Sequence, residues 1–188
     1  MSISTPVAHE IIPIEYRSIT DKLFSAAGSD PTPESVETLA ADLARMLGIG
    51  AEYGELYSSS DPERAFKRLL AHFRNNVELL VQKTWVEKAD EVHKEKLLDR
   101  IPQFVADLES GDYGRSLRTF TNILDELAYL LFGAQSHKGD FIEYAFRIDP
   151  QIGLFWWYSS NISSILGYSQ VRTLRSILLV GVCFLASF

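Results

Sequence analysis

The residue types able to do chemistry are few in this sequence, and each has to be weighed by its spacing. A di-iron carboxylate centre needs two Glu-x-x-His pairs and two further glutamates on facing helices, because the metals are ligated from all sides. The nearest fragment is Asp90-Glu91-Val92-His93, which occurs once and offers an aspartate, a shorter ligand. No acid lies three residues before His9, His72 or His137. A solvated, charged helix end accounts for residues 90–96. His72 precedes Phe73 on an amphipathic stretch, where a metal or haem ligand is conceivable, but the unpaired histidine spacing favours a surface or hydrogen-bonded structural role. His137 lies in a polar loop with no nucleophile near it in sequence.

Nucleophilic and phosphate chemistry fare no better. There is no G-x-S-x-G elbow, and the lone Cys183 sits in an apolar run that suppresses thiolate formation. The turns Gly48-Ile49-Gly50 and Gly111-Asp112-Tyr113-Gly114 lack the Gly-Lys-Ser/Thr ending of a phosphate loop and read as helix stops. No catalytic residue, metal ligand or cofactor is assigned, and the reading leans away from an enzyme.

Two apolar features remain. Phe155-Trp156-Trp157-Tyr158 spreads four aromatics over about 400° of a helix, so they are not expected to face one core. Phe155 and Trp156 are expected inside, with Trp157 and Tyr158 at a crevice or against another surface. Residues 176–188 carry no charge and follow Arg172 and Arg175, the flank of a tail anchor. Thirteen residues at about 1.5 Å each reach only about 20 Å, short of a hydrocarbon layer of about 30 Å. A core helix or one completing an oligomer is therefore favoured over insertion. Trp157, Tyr158, Phe184 and Phe188 are the candidate partner-binding residues.

Apolar residues recur at helical spacing almost throughout the sequence. Ile12, Tyr16, Ile19, Leu23 and Phe24 form one set, closed by Gly28, and Val36, Leu39, Leu43 and Leu47 form another, opened by Thr32-Pro33 and closed by Gly48. The stretch 50–60, GAEYGELYSSS, reads as a loop. Asp61-Pro62-Glu63 then opens the strongest pattern, Phe66 through Trp85. Leu97 to Leu108 resume it, with Pro102 kinking that helix or starting a new one, and Leu117, Phe120, Leu124, Leu127 and Leu131 have the spacing of a bundle seam. Asp140 opens a short helix, Asp149-Pro150 another, and a last helix runs from Ser169 toward the end. Two Ser-Asp-Pro tripeptides, at 29–31 and 60–62, precede unlike sequences and mark no repeat. The expectation is a single all-α domain over 1–188, a bundle of about seven helices, with 152–188 its aromatic and apolar end.

Charge narrows the partners. Of 188 residues 46% are hydrophobic and 23% charged, and 18 basic against 25 acidic residues give a net charge of -7. Residues 1–60 hold 3 basic and 9 acidic groups, so the region where a helix-turn-helix would sit repels phosphate, and nucleic acid is not expected as a partner. A lone cysteine and an N-terminus without a basic, then apolar, leader point to the cytoplasm. The function expected is a noncatalytic interaction module that binds another protein or itself. One alternative is a peripheral membrane protein attached through 152–188. The other is a helical enzyme or small-molecule carrier with an interhelical pocket lined by Tyr129, His72 or Trp156.

Overall fold

A computed structural model describes residues 12–28, 33–83, 91–133, 141–166 and 171–187. Among the described residues the chain forms nine helices and no strand, as the all-α reading requires. Helices α1 (Ile14–Gly28) and α2 (Pro33–Met46) lead the chain. α2 begins on Pro33, where a missing amide costs nothing, and stops before Gly48, whose φ of 78° is the left-handed conformation of a helix end.

The stretch read as a loop is a helix, α3 (Gly50–Ser58), which is one reason the bundle has more helices than expected. Tyr53 and Leu56 lie one turn apart and are buried, and this tertiary burial outweighs the low helix propensity of two glycines. Of the expected stripe on α4 (Pro62–Lys83), Leu70, Phe73, Val77 and Val81 are buried and are joined by Ala65; Phe66, Leu69 and Leu80 are partly buried, and Trp85 lies outside the described residues. The start of α4 is capped by the Asp61 carboxylate, which accepts from the Arg64 amide at 3.1 Å.

α5 (Glu91–Ser110) keeps Pro102 inside one continuous helix, on its exposed side. Gly111, with φ of 78°, turns the chain, and Asp112 caps α6 (Tyr113–Phe132) by accepting from the Arg115 amide at 3.1 Å. The two helices pair antiparallel, with Phe104 stacked on Phe120 at 5.0 Å between centroids. α7 (Phe141–Ile148) and α8 (Pro150–Leu166) meet at Asp149, whose carboxylate accepts from the amides of Gln151 at 2.8 Å and Ile152 at 3.3 Å. The proposed caps Thr32 and Asp140 lie outside the described residues.

The last helix, α9 (Val171–Ala186), is the axis of the bundle. It packs on α2, α3, α4, α6 and α8. Ile177, Leu178, Leu179, Val180, Val182 and Cys183 are wholly buried. At Gly181 a Cβ would lie 2.8 Å from the Phe120 ring, so only glycine lets α6 approach this closely. Buried apolar residues from all nine helices join in one cluster around this axis. The uncharged run thus sits where the core-helix reading puts it, and among the described residues no helix is long and apolar enough to cross a membrane.

Candidate functional site

Beside that core, an apolar cleft of about 220 Å³ opens between five helices. α4 contributes Leu80, α6 contributes Leu127, Leu131 and Phe132, and α9 contributes Leu185. α7 adds Tyr144 and Ile148, and α8 adds Ile152, Phe155 and Trp156. The floor is held by interlocked rings. Trp156 meets Phe132 edge-on at 5.4 Å and Phe155 at 5.2 Å, and Phe155 stacks on Phe184 at 4.3 Å. Such edge and stacked contacts fix ring positions in advance of any ligand. The rim is open to solvent: Leu131 is 39% exposed, Tyr144 48% and Ile148 55%.

Why these residues gather here follows from α7. Phe141, Ile142, Ala145 and Phe146 face inward and are buried. Tyr144 and Ile148, one turn apart, make a second apolar stripe that the core does not use. Gly153 seats α7 against α8, because a Cβ there would lie 2.2 Å from the Phe146 ring. The signal was present in FIEYAFRI, a short helix apolar on two faces, but which helices meet that second face is not written in any local pattern.

The aromatic cluster departs from expectation. Trp157 and Tyr158 are both 0% exposed and Phe184 is 7% exposed, so none of them offers a surface to a partner. The cause is that α8 is enclosed by α1, α6, α7 and α9, which cover all of its sides through this stretch. Tyr158 donates to the Ile177 carbonyl, and Asn161 donates to the Trp157 carbonyl at 2.8 Å. Phe188 lies outside the described residues. Of the four adjacent aromatics it is Phe155 and Trp156, the two assigned to the core, that line the cleft.

The polar candidates are dispersed. His72 is exposed and borders a separate groove of about 370 Å³ with Glu52, Glu55 and Arg68. Tyr129 stacks on His93 at 4.1 Å, in the seam between α5 and α6. His93 is therefore no solvated helix end. Its Nδ1 hydrogen-bonds the Glu126 carboxylate, whose other oxygen accepts from Arg100 at 3.4 Å, closing a clamp between the two helices. Trp156 lines the apolar cleft and His72 the separate groove. His9 and His137 lie outside the described residues.

Along α4 three basic side chains face acids: Lys67 pairs with Glu63 at 3.3 Å, Arg68 with Glu55 at 3.7 Å and Arg74 with Glu78 at 3.1 Å. Burial pushes the Cys183 thiol up to about 12, with the Glu52 carboxylate adding to the shift. It also raises Tyr53, whose hydroxyl contacts that of Tyr57 at 3.3 Å, above the usual phenol range. Among the described residues no three histidines, cysteines or acids gather in a way that could hold a metal ion. Comparison of the chain with protein-family models, with curated proteins and with solved structures gives no match to any of them.

Proposed function

We propose that the chain is a binding module that receives apolar side chains of a partner protein in the cleft between α4, α6, α7, α8 and α9. The observation that carries this is the half-exposed rim of Leu131, Tyr144 and Ile148 above a floor of fixed aromatic rings. Large apolar side chains left at the mouth of a concave site mark an interaction surface. At about 220 Å³ the cleft is smaller than the roughly 300–1,000 Å³ of most small-molecule sites and suits one or two inserted side chains. A single buried thiol suits action in a reducing, cytoplasmic setting.

Leu131→Gln with Ile148→Gln tests this reading, since both positions are exposed and glutamine keeps helix propensity. Melting should change little, while a partner captured by the natural chain should bind the double variant at least about tenfold more weakly. Unchanged capture would refute the cleft as the binding surface.

A carrier reading draws on the same place, because Trp156 does line a cavity. It requires that protein purified from its native cell release a stoichiometric apolar compound on extraction.

A further inference from the structure

The groove of about 370 Å³ between α3 and α4 shares no lining residue with the apolar cleft, and its chemistry is different. The α3 wall is acidic: Glu52 and Glu55 stand three positions apart, on one face of the helix. The α4 wall holds donors: Arg68 and His72 stand four positions apart, again on one face. Between the walls the lining is apolar, with Leu56 buried and Leu69 partly buried.

These polar groups keep most of their bonding capacity. Arg68 and Glu55 approach to 3.7 Å, beyond hydrogen-bond length, with side chains 55% and 60% exposed. A solvated pair of that kind contributes little and yields readily to a ligand. Glu52 and His72 each lie one turn farther from the three-residue link between the helices, and they make no ion pair with one another. Among the described residues the Glu52 carboxylate, the Arg68 guanidinium and the His72 ring make no hydrogen bond to another group of the chain. The α9 end of the groove is already paired: the Ser187 hydroxyl donates to the Cys183 carbonyl at 2.9 Å, and the Ala186 carbonyl accepts from Asn76.

The geometry points to a binding site for a small zwitterion with an apolar body, a free amino acid or a dipeptide. Its ammonium meets Glu52, its carboxylate meets Arg68 and His72, and its side chain covers Leu56 and Leu69. The facing walls select against a ligand of one sign: a lone cation meets Arg68, and a lone anion meets two carboxylates. The apolar body does a second thing, since it displaces water from between the walls and strengthens both charge contacts. At about 370 Å³ the groove falls within the roughly 300–1,000 Å³ of small-molecule sites. The site is separate from the cleft and does not depend on what the cleft receives.

Calorimetric titration of the full chain with leucine and with leucyl-leucine tests this, and the two probes decide whether an amino acid or a dipeptide fits. At least one should bind with a Kd of about 1 mM or tighter. N-acetylation of that probe removes its ammonium and amidation its carboxylate, and each should weaken binding about tenfold or more. Glu52→Gln and Arg68→Gln sort the two ends, since both positions are exposed and glutamine keeps helix propensity. In Glu52→Gln the preference for the free ammonium should vanish while that for the free carboxylate stays. Arg68→Gln should do the reverse, and melting of both variants should change little. Equal binding of free and blocked probes, binding that neither substitution alters, or no binding of either probe would overturn the inference.

Discussion

Gly153 and Gly54 both sit inside helices, where glycine is a poor residue on propensity, yet their surroundings give substitutions of opposite sign. At Gly153 a Cβ would lie 2.2 Å from the Phe146 ring and 2.6 Å from its Cα, so α7 would have to move off α8. Gly153→Ala should destabilise by about 1–3 kcal/mol. At Gly54 nothing lies within 4 Å of the same atom, and Gly54→Ala should stabilise by about 0.5–1 kcal/mol. Urea unfolding of the two variants checks both signs. Cys183 gives a pH-dependent counterpart. Its folded pKa, about 12, stands above the ordinary 9.0, so the stability it contributes is complete below about pH 9 and is lost as pH rises toward 12. Tyr53 and Tyr158, also raised by burial, act in the same direction at alkaline pH. Melting temperature should fall through this window. Below it, a thiol reagent should modify Cys183 no faster than the protein globally unfolds.

Among the helices, α9 has the largest consequences for stability. Leu178 on its fully enclosed surface should cost about 2–5 kcal/mol when changed to alanine, out of a total of about 5–15 kcal/mol. Leu79→Ala on α4, where the side chain is 48% exposed, should stay within about 0.5 kcal/mol. Denaturant midpoints of the two variants measure the contrast. Legibility in sequence follows the same division. α4 and α6 were readable because each buries one stripe and solvates the rest, which leaves a periodic trace. α3 was not, since two glycines and a run of serines mask the buried pair Tyr53 and Leu56. Trp157 and Tyr158 misled for the reason that angular spread around a helix implies exposure only if some side is left uncovered, and neighbours cover all sides of α8 there. The clamp of His93 and Glu126 joins residues 33 positions apart, and the cleft joins five helices. Neither spacing has a local signature.

For the molecule as a whole, a core shared by all nine described helices makes independent unfolding of any part costly. Calorimetry should show one transition whose calorimetric and van't Hoff enthalpies agree, and two resolved transitions would mean that part of the bundle folds without α9. The position of that axis also sets an order of events in the cell. Synthesis proceeds from the N-terminus, so eight amphipathic or apolar helices leave the ribosome before residues 171–186, the element on which α2, α3, α4, α6 and α8 close. Until then the α5–α6 hairpin has its own ring stack and ionic clamp, while the faces of α2, α3, α4, α6 and α8 that meet α9 have no axis to cover. Folding is consequently gated by the emergence of a late segment, and the nascent chain presents to chaperones the same apolar stripes that later disappear around α9.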